Sequence, residues 1–506
     1  MMTGRQWVLG AATSFASNTN WQGYGGESTM SYLTQMLALT VQNFVSAAAG
    51  MAVLVALIRG FARQSAQTIG NFWVDLTRST LYILLPLSLV LALALVSQGV
   101  VQTFSAYHTI PLVQSVEYDN PKLDSAGQPL KDDKGATITE KATQKEQVIA
   151  VGPAASQVAI KQLGTNGGGF FNVNSAHPFE NPSWLTNFVE MLLILLIPTA
   201  LTATYGVMVG SRRQGWAIFA AMMALFVVAV AAVYAAESGP TPAMQAAGLT
   251  GDNMEDKEQR FGVASTALFV AVTTAASCGA VNAAMESLSG LGGTVPMAQM
   301  MTGEVIWGGV GSGLYGMLLF AILAVFISGL MVGRTPEFLG KKIGAREIKL
   351  VIFGTVGVPL LVLVTSGLAI ATEYGRKSIY NAGPQGFSET LYAYTSQANN
   401  NGSAFAGYTA FLQPADAEQY GISFANVLGG LAMLGGGFLP LLAVLAVAGS
   451  LAAKRPAPTG AGTLRTDSLT FVWVLVSVVL IVALLTFVPA LLLGPVVQGL
   501  TDQLFS

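Results

Sequence analysis

Four short polar clusters in this chain carry residue types that can coordinate a monovalent cation. They read SNTNWQGYGG (17–26), GTNGGGFFN (164–172), TAASCGAVN (274–282) and QANNNGSAFAG (397–407). Their Asn, Thr and Ser side chains supply neutral oxygens, and their glycines permit backbone conformations that turn carbonyl oxygens toward a common axis. A ring of such oxygens replaces the hydration shell of a weakly hydrated ion, as in potassium filters.

The clusters exclude other classes of ligand. None of the four contains a carboxylate, the group that divalent cations favour. Anions favour Arg, Lys or helix N-termini. Potassium therefore fits the clusters best, with sodium or another alkali ion as the weaker alternative. Clusters of Gly, Asn and Ser are also common in plain turns, so the ion-site interpretation depends on all four recurring in one context.

That context is a polytopic membrane protein. Of the 506 residues, 52% are hydrophobic and 10% are charged, whereas about a quarter are charged in soluble domains. Apolar stretches of about 20 residues span a bilayer. They predict eight spanning helices, at 37–59, 79–98, 188–210, 216–236, 308–333, 349–372, 424–452 and 472–493. The predicted fold class is all-α.

Basic residues fall at alternate connections between these helices. The positive-inside rule places such connections in the cytoplasm, which puts the four polar clusters and the C-terminus on the extracytoplasmic side. The basic residues are Arg59, Arg63 and Arg78; Arg212 and Arg213; Arg334, Lys341, Lys342, Arg346 and Lys349; and Lys454, Arg455 and Arg465.

A short apolar segment precedes each cluster, and a spanning helix follows it. The segments are WVLGAATSFA, ASQVAIKQL, FGVASTALFVAVT and GFSETLYAYTS, each too short to cross a bilayer. Non-helical backbone is tolerated at membrane depth only where protein buries it or it lines a water-filled cavity. The pattern therefore predicts four re-entrant pore helices whose loops converge on one axis.

The repeat divides the chain into five parts. Residues 1–59 hold pore loop 1 and the second helix of repeat 1, whose first helix is missing. Residues 79–210 form repeat 2, with a long polar extracytoplasmic insert at 99–155 that is expected to be solvated and mobile. Repeats 3 and 4 cover 216–333 and 349–452, and 472–493 is an extra spanning helix. The stretch GGVGSGLYG (308–316) has the small-residue spacing of packed helices.

Other features limit the possible functions. A net charge of −2 offers no basic surface for nucleic acid, and one cysteine with two histidines cannot build a structural zinc site. No Walker sequence is present, so the chain is expected to bind no nucleotide. His177 is expected to be structural. Glu27, Glu180 and Glu286 follow three of the clusters and attract cations, are simply solvated or cap loops.

Several motifs together resemble the KdpA family, the potassium-binding subunits of bacterial Kdp-type potassium-transporting ATPases. They are SNTNWQGYGGE, GTNGGGFFNVNSAHPFENP, TTAASCGAVNA, GGVGSGLYGM, GRTPEFLGKKI and ANNNGSAFAG, and the resemblance runs from about Trp7 to TFVPALLLGPV. It implies four helix–pore loop–helix repeats of the potassium transporter superfamily in the bacterial inner membrane. It also implies a P-type ATPase partner whose ATP hydrolysis drives potassium import, together with small accessory subunits.

The resemblance further implies which residues form the potassium filter. Cys278 taken alone is more typical of a buried small hydrophobic residue, but its place inside the third cluster favours a role in lining the ion path. The implied filter residues are Asn18, Thr19, Gln22, Thr165, Asn166, Gly167, Ser277, Cys278, Gly279, Asn400, Asn401 and Gly402.

The chain departs from the family pattern at three places. The family begins with two more spanning helices than this sequence contains. A late start, a fragment or a deletion would explain the difference. The family has an arginine where this chain has Gly437, and a shorter loop near 118–147. Two alternatives to an ATPase subunit stay open: a stand-alone potassium channel or secondary transporter of the same superfamily, and a non-conducting truncated subunit.

Overall fold

The computed structural model describes residues 4–123, 130–132, 137–333, 335–408, 423–456 and 464–501. Within these ranges eight helices are long and apolar enough to cross a membrane, as the sequence predicts. We number them spans 1 to 8 in chain order. They are Tyr32–Ala62, Phe72–Ser97, Trp184–Met208, Arg212–Glu237, Ser312–Met331, Ala345–Ala371, Phe424–Ala452 and Leu469–Leu491.

Four shorter helices precede the polar clusters, and we call them pore helices 1 to 4. Their lengths of 13, 10, 14 and 16 residues fall below the roughly 20 residues that cross a bilayer. Each ends where its polar cluster begins, because the cluster residues adopt left-handed backbone conformations that stop a right-handed helix. The four helices are Gly4–Ala16, Ala154–Leu163, Gly262–Ala275 and Gly383–Ala398.

The long insert of repeat 2 contains an antiparallel hairpin that was not predicted. Strand β1 (His108–Pro121) pairs with β2 (Thr139–Ile149), with His108 opposite Ile149 and a bulge between Pro111 and Val116. Most residues of both strands are exposed, as expected for a solvated insert. The predicted fold class therefore holds for the membrane part, to which the insert adds a β-ribbon. We call this side of the molecule the hairpin end.

The opposite side carries the basic connections, and we call it the basic end. There a two-residue ladder joins β3 (Glu337–Phe338) to β4 (Lys341–Lys342). The Lys341 ammonium is buried and donates to the carbonyls of Gly60 (3.1 Å), Arg63, Leu451 (2.6 Å) and Lys454 (3.4 Å). These carbonyls lie at the ends of spans 1 and 7, so one side chain ties two spans to the hairpin between spans 5 and 6.

The predicted fifth spanning helix, 308–333, is wrong at its start. A buried helix covers Gly290–Met301 and is followed by a loop at residues 302–311. Span 5 begins only after this loop, at Ser312. Gly308 and Gly311 have φ of 64° and 88°, which a helix cannot contain. A Cβ on Gly311 would lie 2.2 Å from the Gly50 carbonyl oxygen, so the small residues allow a loop, rather than a helix, to pack against span 1.

Candidate ion-binding filter

Each pore helix is followed by three residues with the same backbone pattern, which we call filter triplets. The first and third residues of every triplet have positive φ, between 50° and 98°. Successive carbonyls of an extended strand point to opposite sides, and reversing φ at alternate residues brings them toward one side. The triplets are Asn18–Thr19–Asn20, Thr165–Asn166–Gly167, Ser277–Cys278–Gly279 and Asn400–Asn401–Gly402.

The pore helices hold the triplets through one repeated hydrogen bond. In each repeat the N–H of the central triplet residue donates to a carbonyl in the last turns of the pore helix, over 2.8–3.0 Å. A left-handed conformation costs a non-glycine residue about 1–2 kcal/mol. These hydrogen bonds help to hold the triplet residues in that conformation despite its cost. The pairs are Thr19 with Ser14, Asn166 with Lys161, Cys278 with Thr273 and Asn401 with Ser396.

The triplets pack against one another through their third residues. A Cβ built on Gly167 would lie 1.7 Å from the carbonyl oxygen of Cys278, so only glycine fits there. The same relation, at 2.0 and 2.2 Å, joins Gly279 to the Asn401 carbonyl and Gly402 to the Thr19 carbonyl. The chain of contacts therefore runs from triplet 2 to 3, from 3 to 4 and from 4 to 1.

Side-chain hydrogen bonds connect the triplets as well and close the remaining gap. Asn166 Nδ2 donates to Asn18 Oδ1 over 2.6 Å, joining triplets 1 and 2. Asn400 Nδ2 donates to Thr19 Oγ1 over 2.8 Å, joining triplets 4 and 1. Every triplet thus contacts the next around a closed ring, and the four surround a single axis.

The structure brings the predicted filter residues together. Eleven of the twelve lie in the triplets, and Gln22 lies just outside, where it exchanges hydrogen bonds with the Gly169 carbonyl (3.2 Å) and N–H (3.0 Å). The Cys278 thiol donates to Gln162 Oε1 over 3.5 Å, so the carbonyl of Cys278, and not its sulfur, makes the contact with Gly167 of the neighbouring triplet. Asn20, which the sequence prediction left out, occupies the third position of triplet 1.

The three glutamates that follow the clusters hold loops by accepting backbone N–H groups. Glu27 accepts from Asn172, Glu180 from Phe171 and Glu286 from Gly407, over 2.6–2.9 Å. Of the three roles open from the sequence, these contacts are those of loop caps.

His177 is structural, as predicted. Its ring stacks on Phe171 with centroids 3.7 Å apart, and Nδ1 accepts from the Phe179 N–H over 3.1 Å. Burial lowers the pKa of the His177 imidazole, an effect that the nearby Glu180 opposes. A neutral ring suits the observed acceptor role of Nδ1.

Comparison with known proteins decides which family carries this ring. The sequence profile of the potassium-transporting ATPase A subunit, KdpA, matches residues 2–500. The chain belongs to the KdpA family. Potassium-binding subunits of Methylococcus capsulatus, Ralstonia pickettii and Herminiimonas arsenicoxydans are 58%, 56% and 57% identical to it. The alignments cover 97–98% of this chain and 82% of each relative.

A solved structure shares the fold of this KdpA chain. The potassium transporter TrkH from Vibrio parahaemolyticus superposes with a TM-score of 0.51 at 14% identity, covering 86% of this chain and 76% of that one. At this identity the likeness concerns the fold alone. It agrees with the predicted fold class of an all-α, multi-span membrane protein.

Two cavities meet the KdpA ring from opposite sides. On the hairpin side a vestibule of about 770 Å³ is lined by the third residues of all four triplets and by Gln22. On the other side a cavity of about 240 Å³ is lined by Asn18, Ser277 and Asn400, which are first triplet residues, and by Gly437. The ring therefore separates two spaces, and a Cβ on Gly437 would lie 3.1 Å from Asn400 Oδ1.

The 302–311 loop lies directly against the inner side of the ring. Its Val310 N–H donates to Thr165 Oγ1 over 3.0 Å, and its Trp307 N–H donates to the Ala275 carbonyl over 3.0 Å. Glu304 of this loop lines the inner cavity and lies beside Ser277 and Asn401. Neither carboxylate oxygen makes a well-formed hydrogen bond to any described residue. The sequence analysis had not singled out this carboxylate.

Proposed function

We propose that the four filter triplets form the selectivity filter of a potassium-binding subunit of an ATP-driven potassium pump. In this function the chain takes potassium from the extracytoplasmic side and passes it to a P-type ATPase partner, which imports it at the expense of ATP. The subunit itself performs no hydrolysis and binds no nucleotide. The observation that carries the proposal is the closed ring of triplets, in which each glycine abuts the next central carbonyl.

The chemistry of the ring suits potassium. Its polar groups are backbone carbonyls and the neutral side chains of Asn, Thr and Ser, and neutral oxygens of this kind replace the hydration shell of a weakly hydrated cation. The triplets contain no carboxylate, so a strongly hydrated divalent ion gains too little to leave water. Twelve residues at the axis constitute the proposed potassium site: the eleven predicted in the triplets, together with Asn20.

The unpartnered Glu304 supports a path through the ring. A buried carboxylate lowers the electrostatic potential of the inner cavity and favours a cation there over an empty space. Burial disfavours the charged form of Glu304 in the empty cavity. A potassium ion that leaves the ring and enters this cavity of about 240 Å³ offsets that cost and stabilises the carboxylate.

The names of the relatives favour a pump subunit over a stand-alone channel. The curated proteins that are 56–58% identical are named as subunits of a potassium-transporting ATPase. We therefore place the chain in a complex with the P-type ATPase subunit and small accessory subunits. The basic end lies in the cytoplasm by the positive-inside rule, which puts the hairpin, the vestibule and the C-terminus outside the bacterial inner membrane.

Growth at limiting potassium tests this proposal. A bacterium that lacks its own potassium uptake systems receives this chain together with the ATPase and accessory subunits. The wild-type set is expected to restore growth at micromolar potassium, and a set with Gly279→Ala is expected to fail because its Cβ would lie 2.0 Å from the Asn401 carbonyl.

The control is Gly357→Ala in span 6, where a Cβ would meet no atom of the described residues within 4 Å. This variant is expected to support growth as the wild type does. Restored growth without the ATPase subunit would contradict the pump and favour a stand-alone channel. Unchanged growth of Gly279→Ala would contradict the filter.

A further inference from the structure

One position in the pore helices breaks the fourfold pattern of the ring. The carbonyls that anchor the central triplet residues belong to four equivalent residues, namely Ser14, Lys161, Thr273 and Ser396. Three of them carry short hydroxyl side chains, and the fourth is a lysine with 0% exposure. A buried ammonium beside a cation site repels the ion unless its charge is compensated, so its placement calls for a physical reason.

The compensating charge comes from Glu180. Its carboxylate forms a salt bridge with Lys161 in which both side chains are 0% exposed. The second carboxylate oxygen accepts from the Phe171 N–H over 2.9 Å. The pair is therefore neutral as a whole, and it holds the end of the filter loop from behind. Removing either partner alone would leave an uncompensated buried charge.

The ammonium also reaches the filter through Asn174. Lys161 Nζ donates to Asn174 Oδ1, and Asn174 Nδ2 donates to the Gly167 carbonyl over 2.8 Å. An ammonium has only donors, so it fixes which end of the Asn174 amide faces it. The NH₂ group must then face Gly167, and a hydrogen bond from a charged donor strengthens the next one in the chain.

The sequence explains why triplet 2 needs this support. Gly167, Gly168 and Gly169 follow one another, and glycine has the greatest backbone freedom of any residue. No side chain within the stretch can hold it in place. In triplet 4, by comparison, the Ser396 hydroxyl accepts from the Gly402 N–H over 3.0 Å, which is a simpler support for a single glycine.

We propose that Lys161 is a positioning residue that fixes the Gly167 carbonyl through Asn174 and thereby sets the preference of the filter for potassium. This inference rests on the proposed function of the ring. Lys161 does not contact the ion; its charge is used to orient Asn174, and Glu180 neutralises it. Without the link, the Gly167 carbonyl can move to fit ions of other radii.

The test compares ions on the assembled complex with its ATPase subunit. ATP hydrolysis is titrated with potassium, rubidium and sodium for wild type, for Lys161→Met with Glu180→Gln, and for Asn174→Gly. The double variant removes both charges at nearly constant shape. Glycine at 174 accepts the native φ of 57° without strain. Each variant is expected to need about tenfold more potassium for half-maximal activity and to discriminate less against rubidium.

Combining the changes separates positioning from general damage. Because Lys161 acts only through Asn174, the triple variant is expected to discriminate among the ions no less than the double variant does. The matched control is Lys257→Met with Glu237→Gln, another fully buried ion pair (3.0 Å). Within the described part of the chain, the hydrogen bonds of this pair go to residues outside the triplets. The control is therefore expected to lower the melting temperature without changing the ratio between ions.

Three outcomes would overturn the inference: wild-type ion ratios in Asn174→Gly, an additive loss in the triple variant, or an equal change of the ratio in the control. If the double variant does not assemble, Asn174→Gly decides alone, since it keeps the ion pair. Gly279→Ala in the same assay distinguishes a failure of the inference about Lys161 from a failure of the proposed filter. If Gly279→Ala alters the ratio between ions and Asn174→Gly keeps the wild-type ratio, the result contradicts only the role of Lys161 and not the filter.

Discussion

Gly167 packs so closely on the carbonyl oxygen of Cys278 that a Cβ at Gly167 would lie 1.7 Å from it. The two residues belong to neighbouring triplets, and this contact fixes the spacing between them. An ion site made of carbonyls depends on that spacing, because the oxygens must match the radius of the ion that they dehydrate.

Gly167→Ala is therefore expected to push triplets 2 and 3 apart and to weaken potassium binding by at least about tenfold. The control is Gly168→Ala next to it, where the nearest atom to a new Cβ is Asn20 Cβ at 3.2 Å. Calorimetric titration of the purified complex with potassium measures both. Equal affinities of the two variants would show that the Gly167 contact does not set the site.

Asn20 is expected to behave as the glycine of its triplet. It has φ of 53° at the position that Gly167, Gly279 and Gly402 hold in the other triplets. Asn20→Gly is expected to keep potassium-dependent ATP hydrolysis within about twofold, whereas Asn20→Val carries a strain of about 1–2 kcal/mol or more and is expected to lose it. The opposite order, with valine tolerated and glycine inactive, would mean that the Asn20 amide rather than its backbone matters.

Glu304→Gln is expected to separate stability from transport. The carboxyl group is buried and makes no well-formed hydrogen bond to any described residue, so burial disfavours its charged form at a cost in folding energy. The glutamine variant should melt at a higher temperature. Its potassium uptake is nevertheless expected to be slower, by about tenfold, because glutamine cannot supply the negative charge that a potassium ion in the inner cavity would stabilise. Unchanged uptake with a raised melting temperature would assign Glu304 no part in the ion path.

Lys341→Met tests the tie at the basic end. Its ammonium donates to carbonyls at the ends of spans 1 and 7, where a cation is favoured by the helix dipole. Its loss is expected to destabilise the protein by about 2 kcal/mol and to leave the ion preference unchanged. Lys342→Met, with an exposed side chain in the same strand, is the control. Thermal melting in detergent compares the two; similar melting temperatures would contradict the tie.

The sequence predicted the spans well because each needs an unbroken apolar stretch, and that signal is local. The prediction was wrong at 308, where helix-compatible small residues in fact form a loop. The signal there is Glu304 together with Gly303, Gly308, Gly309 and Gly311 in a stretch between two apolar helices. A lone carboxylate among glycines at membrane depth marks a cavity rather than a helix.

Two other features escaped the sequence for different reasons. The β1–β2 hairpin is exposed on both faces, so it lacks the apolar alternation by which strands are recognised. Asn20 was missed because the glycine of the other triplets is replaced, and only the φ pattern shows the equivalence. The division of the chain into four repeats stays a prediction, which the matching triplets support.

The central claim is that the four triplets form one potassium site, and anomalous scattering tests it most directly. Crystals of the complex grown in potassium are soaked in thallium(I), a heavier ion of similar radius, and the anomalous difference density is mapped. The predicted result is a peak on the axis, coordinated by triplet oxygens that include the Thr19, Asn166, Cys278 and Asn401 carbonyls. Thallium bound only elsewhere, with the axis empty, would contradict it.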